Sequence, residues 1–252
     1  MRASRMILLL AVAFGAAASA AQADWVPGMP YKMHYPQLPD RGPTGLDVYA
    51  VWPVEVADDW MCTGSGRVTD IHVWGSWLYD VVDPVPAFNL GIYANVPAGI
   101  GTPYSHPGNL LWNVSGFASV ARLDGTGDEG FLDPLAELVI GTDTQIWQYN
   151  FNIPEAIAFQ QTAGNIYWLS VQYAAPDSGL IFGWKTSLDH WNDDATVRNL
   201  GAGIDWFDLH YPLEHLLAGQ SMDMAFVITP EPATLCLLGL GAVGLLARRR
   251  RK

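Results

Sequence analysis

Cysteine is nearly missing from this chain of 252 residues, which carries only Cys62 and Cys236. Cys236 sits in an apolar C-terminal segment, so the long central stretch keeps Cys62 alone and no intramolecular disulfide can staple it. Cys62 therefore reads as a small buried hydrophobe. Basic residues are almost as scarce in that stretch. Residues 24–229 hold 6 Lys and Arg against 24 Asp and Glu, a net charge of −18. A surface of that sign repels phosphate backbones and anionic lipid, which excludes nucleic-acid binding as the main activity. Helical periodicity is wanting as well; only residues 154–161, opened by Pro154, read as a short helix. No H-E-x-x-H, no cysteine pair at metal spacing and no nucleophile elbow occurs. His190 beside Asp189 lacks a serine partner of that kind and reads as a structural hydrogen bonder, so no catalytic residue is assigned.

Long apolar runs are confined to the two ends. Arg2 and Arg5 precede the run 6–14, and small residues fill 15–20. A positive start, a short apolar region and an Ala-x-Ala site describe a secretory signal peptide. Ala18-Ser19-Ala20 and Ala21-Gln22-Ala23 both fit as cleavage sites. The second is favoured, making residues 1–23 the signal peptide and Asp24 the first residue of the exported domain. At the other end, residues 233–247 are apolar and run into Arg248-Arg249-Arg250-Arg251-Lys252. About 15 residues at helical rise cover roughly 22 Å, less than the hydrocarbon core of about 30 Å. The arginines hold that end at the cytoplasmic face of the inner membrane. Pro230 and Pro232 set the helix start near Ala233.

This order of features resembles the PEP-CTERM sorting signal of Gram-negative bacteria. Pro230, Glu231 and Pro232 fill the motif, and Arg248, Arg249, Arg250 and Arg251 form the cluster. The resemblance implies that a membrane-embedded exosortase cuts near the motif and releases or re-attaches the protein at the cell surface, after a transient stay in the inner membrane. The expected layout is therefore 1–23 signal peptide, 24–229 extracellular domain and 230–252 sorting signal.

The domain itself is a series of short strand-like runs broken by Gly, Pro, Asn and Asp. Residues 67–74 alternate cleanly, with Val68, Thr69, Ile71 and Val73 supplying β-branching. Residues 46–52, 88–93, 110–114, 136–140, 145–152, 166–173, 180–185 and 222–228 read as further strands. Many short strands with almost no helix predict an all-β fold, a single antiparallel β-sandwich of jelly-roll type. The segments "PTGLDVYAVW", "VADDWMCTGSGRVTDIHVWGSW", "WQYNF", "YWLSVQ", "FGWKTSLDHWNDDA" and "GQSMDMAFVIT" resemble an uncharacterised extracellular domain that recurs in PEP-CTERM proteins. That resemblance spans most of 43–229. It implies a β-sandwich export domain and carries over no activity or catalytic residue.

The densest polar stretch is Asp189-His190-Trp191-Asn192-Asp193-Asp194. Asp189, Asn192, Asp193 and Asp194 offer hard oxygen ligands of the kind Ca2+ takes, although the spacing is not that of an EF-hand. Turn-capping in a solvated loop is the other reading. Residues 124–130, rich in Gly and acid, read as a similar loop, and Asp58-Asp59 as a third acidic place. Eleven tryptophans are present, and core packing is the default for each. Trp60, Trp77, Trp191 and Trp206 lie near polar or Gly-containing stretches; with Asn192 they form the expected glycan-binding set, rings stacking on sugar faces. Three function classes follow. A non-enzymatic surface or matrix protein binding exopolysaccharide comes first, because the resemblance to an exosortase sorting signal implies a system that tends to accompany extracellular polysaccharide production. A glycan-active enzyme needs two carboxylates at a set separation. A structural module would self-associate through sheet edges.

Overall fold

A computed structural model describes residues 24–230. The expected signal peptide, Glu231, Pro232, the apolar segment and Arg248–Arg251 lie outside the described residues.

The chain is all-β, with no α-helix among the described residues. In order the strands are β1 (Leu46–Tyr49), β2 (Val54–Met61), β3 (Gly66–Val68), β4 (Asp70–Trp77), β5 (Ala87–Val96), β6 (His106–Ala118), β7 (Val120–Asp133) and β8 (Leu138–Asn152). They continue as β9 (Phe159–Gln161), β10 (Ile166–Tyr173), β11 (Phe182–Ser187), β12 (Thr196–Asn199), β13 (Ile204–Asp208), β14 (Asp223–Met224) and β15 (Phe226–Ile228). One sheet runs β14-β11-β1-β7-β8-β4-β15, a second β13-β12-β2-β10-β5-β6, and β3 pairs with β9.

Three sequence expectations need correction. The pairing is not wholly antiparallel, because β1 runs parallel to β7. Residues 154–161 form a turn leading into β9 rather than a helix; Phe159–Gln161 gain ladder partners in β3 that a short isolated helix would lack. The acidic stretch 124–130 is not a loop but the middle of β7, held by a long hairpin with β8.

Aromatic rings join the two sheets. Phe88 of the second sheet lies 4.9 Å from Phe182, 5.2 Å from Tyr149 and 5.4 Å from Phe151 of the first. Trp77 meets Tyr173 edge to face at 4.9 Å. These buried rings remove large apolar areas from water and add edge-to-face attraction, so they carry much of the stability that a disulfide-free domain needs.

The first sheet also closes on itself. β11 pairs with β1 on one side and with β4 on the other, so β11, β1, β7, β8 and β4 make a ring. Closure depends on glycine: a Cβ on Gly183 would lie 2.7 Å from the Phe131 ring and 2.8 Å from Asp47 Cβ. Gly183→Ala is therefore expected to destabilise the domain by about 1–3 kcal/mol through overpacking. Urea unfolding checks this, and an unchanged midpoint would count against a tight closure.

Candidate functional site

The 189–194 loop is stitched down by its own polar groups. Asp189 Oδ2 accepts the Leu38 N–H at 2.9 Å, and Asp193 Oδ2 accepts the Ser105 N–H at 2.8 Å. Asn192, at φ 61°, donates its amide to Asp59 Oδ2. Asp194 Oδ2 lies 3.1 Å from His210 Nε2. The four expected Ca2+ ligands thus point at four different partners and do not converge on one another. Asp194 instead groups with Asp208 and His210, their ligand atoms all within 4.8 Å. Two carboxylates and an imidazole suit a borderline transition metal better than calcium. The second such group is Asp47, Glu129 and Asp143, all buried, on strands β1, β7 and β8 of the ring.

Trp191 is half-buried and stacks on His34 at 4.2 Å. Burial holds His34 at a pKa of about 3, so this ring is neutral. The other expected sugar-stacking rings are not exposed. Trp60 and Trp77 are wholly buried, spending their indole N–H groups on Gln161 and on the Tyr149 hydroxyl. Trp206 is 8% exposed and is covered by the Arg198 guanidinium, 4.4 Å from its ring. The polar residues flanking Trp60 and Trp77 belong to strands covered on both faces, which a local reading of the sequence cannot register.

Beneath the loop, charge is buried. Asp58 and Asp59 on β2 are inaccessible, and Asp223 on β14 is nearly so. Asp58 accepts from Gln37 Nε2 at 2.8 Å, from the Met224 N–H at 2.6 Å and from the Asp59 N–H at 2.7 Å. Asp223 accepts the Trp191 N–H at 3.3 Å and lies 2.7 Å from His190 Nδ1. Burial, then the neighbouring Asp223 charge, raises Asp58 far above the usual carboxylate range. Asp59 is raised likewise by burial and by Asp58. Burial pushes Asp223 up to about 8, Trp191 and Ser221 opposing and Asp194 and Asp189 assisting. The cluster joins β2, β14 and the 189–194 loop, and it is enclosed by protein rather than open to a substrate.

One polar groove lies on the second sheet, with Glu55 and Gln172 buried at its floor. A groove of about 170 Å3 is lined by Trp52, Glu55, Asn89, Asn113, Gln172 and Arg198, among others. Strand register sets the row. Arg198 stands opposite Glu55 and Gln172 opposite Asn89, while Asn113 pairs with Gly91. Asn89 Nδ2 donates to Gln172 Oε1 at 3.0 Å, and Arg198 Nε to Glu55 Oε2 at 2.8 Å. Tyr93 donates its hydroxyl to Glu55 Oε1 at 2.8 Å. Trp52 is 43% exposed at the groove's end. The sequence signal for this row was present, a polar residue at the same face of β2, β5, β10 and β12, but it emerges only once those strands are placed side by side.

Taken together these are the features of a disulfide-free, acidic, all-β export domain joined to a C-terminal sorting segment. Residues 33–229 match the family described as a domain of unknown function, DUF7901, and residues 229–252 match the PEP-CTERM protein-sorting motif. The chain belongs to the DUF7901 family. Its tail marks it for export and for exosortase-dependent sorting to the cell surface of a Gram-negative-type bacterium. No curated protein and no solved structure matches the chain. No helix among the described residues is long and apolar enough to cross a membrane.

Proposed function

We propose that this is a non-enzymatic surface protein that binds extracellular polysaccharide through the groove on its second sheet. The observation carrying the reading is Trp52, an exposed indole at the end of a fixed row of amides and an Arg–Glu pair. A planar apolar ring offers a face to the C–H side of a sugar, and pre-oriented amides exchange hydrogen bonds with its hydroxyls. Rigid placement lowers the ordering cost of binding, since Gln172 also donates to the Val54 carbonyl at 2.9 Å. The groove holds one carboxylate, Glu55, committed to Arg198 and Tyr93. That supports binding over hydrolysis, which needs two carboxylates about the scissile bond. The two sheets sharing one aromatic core support the sandwich architecture. Residues 1–23 act as the signal peptide and 233–247 as the transient inner-membrane anchor in the same reading. Neither Ca2+ nor the 189–194 loop is needed for the sugar contact.

The test is a polysaccharide and glycan array with the purified protein, run with Ca2+ and with chelator. Binding that survives chelation and falls at least about tenfold in Trp52→Ala, but not in Trp191→Ala, is the expected result. Calcium-dependent binding lost with Trp191→Ala would move the site to the loop. An empty array would favour self-association instead, for which the sheet-edge strand β6 offers Leu110 and Leu111, both exposed.

A further inference from the structure

The ring of β11, β1, β7, β8 and β4 encloses charge. Lys185, Asp47, Glu129 and Asp143 are all buried, the first two completely. Register brings them together, with Asp47 directly opposite Lys185 and Glu129 directly opposite Asp143. Lys185 Nζ touches Glu129 Oε2 and lies 3.0 Å from Asp47 Oδ2. Asp47 Oδ1, Glu129 Oε1 and both oxygens of Asp143 have no hydrogen-bond partner within 3.5 Å. Gly45 walls the cluster so closely that a Cβ there would lie 3.1 Å from both Glu129 Oε1 and Lys185 Nζ.

Several carboxylates around one ammonium, out of water and with oxygens unmatched, is a costly arrangement for a purely ionic core. Lys185 stands where a divalent cation would sit among these carboxylates, so a metal would meet a fixed buried positive charge. A covalent outcome removes the cost, because an ammonium and a carboxylate condense to a neutral amide. Exclusion of water, which favours the ions in solution, favours the amide here.

We propose that Lys185 Nζ and Asp47 Cγ form an intramolecular isopeptide bond, with Glu129 as the catalytic proton carrier. In the resting cluster the carboxylate charges outweigh the burial that would strip Lys185 of its proton, so the amine starts as the ammonium. Glu129, raised by burial to about 7, is a carboxyl able to take up and return protons, and its Oε2 accepts from Lys185 Nζ, which also donates to Asp47 Oδ2. Glu129 accepts a proton from Lys185 Nζ, freeing its lone pair. Nζ attacks Cγ of Asp47, whose carboxyl burial favours in the protonated form. The new C–N bond forms, and the tetrahedral carbon expels its hydroxyl, which leaves as water with the proton Glu129 took up. The Glu129 carboxylate so regenerated accepts the second Nζ proton, leaving a neutral amide and a protonated Glu129. The balance is one ammonium, the Asp47 carboxylic acid and the Glu129 carboxylate giving one amide, one water and a protonated Glu129, with no oxidant or co-reactant. The bond would tie β1 to β11 between residues 138 positions apart in sequence, in a domain whose one cysteine, Cys62, is free. It would do for this exported chain what a disulfide does elsewhere.

The test is a tryptic digest of the purified full chain under denaturing, reducing conditions. The expected product is a branched peptide in which residues 42–67 are joined through Asp47 to residues 123–198, with no cleavage after Lys185. Its mass is about 18 Da below the sum of the two peptides, the loss of one water on a covalent modification. Glu129→Gln is expected to leave Asp47 and Lys185 unlinked and to lower Tm by roughly 10 °C or more, the size expected for opening a long closed loop. Cleavage after Lys185 with an unbranched 42–67 peptide from the wild-type chain would overturn the proposal, whatever the variants do. A bond from Lys185 to Glu129 instead of Asp47, or full linkage in Glu129→Gln, would overturn it equally.

Discussion

Asp58→Ala is expected to cost roughly 3–5 kcal/mol, enough to unfold much of the protein if its total stability lies in the common range of about 5–15 kcal/mol. Asp58 is inaccessible, and its carboxylate accepts from two other segments, the Gln37 side chain and the Met224 N–H. Alanine leaves the Met224 N–H buried without an acceptor, takes one of the two acceptors of the Gln37 amide and opens a void between β2 and β14. Unsatisfied buried donors carry their full desolvation penalty, which is why truncation costs more than the net worth of the bonds. Gln37 has a second outlet, the Met224 carbonyl at 3.2 Å, so the Met224 N–H is the more exposed to loss. Urea unfolding of both proteins measures the difference at constant slope. A loss below about 1 kcal/mol would show that the site relaxes and that Asp58 is not a hub. Asp58→Asn, which keeps an acceptor in the same shape, is expected to recover part of the loss.

The strongly alternating and β-branched runs were legible in the sequence. Residues 67–74, 88–93 and 166–173 fall inside or across β3–β4, β5 and β10, because their β-branched and aromatic residues, bounded by turn residues, mark a strand even where β4 and β10 are buried on both faces. β2 was not legible. Val-Glu-Val-Ala-Asp-Asp-Trp-Met places two adjacent acids where a strand is covered on both faces, so the acids look like a loop signal while both are buried by partners more than 100 residues away. β7 failed for a related reason. Its Gly125, Gly127, Asp128 and Gly130 read as turn residues, yet the glycines let neighbours approach. A Cβ on Gly130 would lie 2.8 Å from the Leu46 side chain. The candidate groove was hidden in the same way. Trp52 sat in a run that read as core, whereas it stands exposed beside Pro53 at the end of a polar row assembled from four other strands. Pattern reports what one strand buries; it does not report what a second sheet or a distant loop lays over the other side.

Stability should fall as pH rises from about 5 to about 8.5, the reverse of the usual acid denaturation. Asp58 and Asp59 are raised far above an ordinary carboxylate, and Asp223 to about 8, burial being the largest cause in each case. A free Asp loses its proton near pH 3.9 (about the model-peptide value), so in the window between that and the folded value the native chain holds protons that the unfolded chain has released. The unfolded state then binds fewer protons, and the free energy of unfolding declines with each step of pH through the window. Below it both states are protonated and the full stability is present; above it the decline stops. A drop in Tm of at least about 5 °C between the two pH values is expected by differential scanning calorimetry. The chain's net charge of −12 pushes the same way through surface repulsion. Added salt separates the two, because a Debye length of about 3 Å at 1 M screens exposed charges and leaves buried ones largely untouched. Most of the drop should therefore persist in high salt and shrink in Asp223→Asn, which has no proton to lose. A Tm that is flat or rises over this range would mean that the buried aspartates are ionised at little cost, through hydration that a closed β2–β14 cluster does not allow.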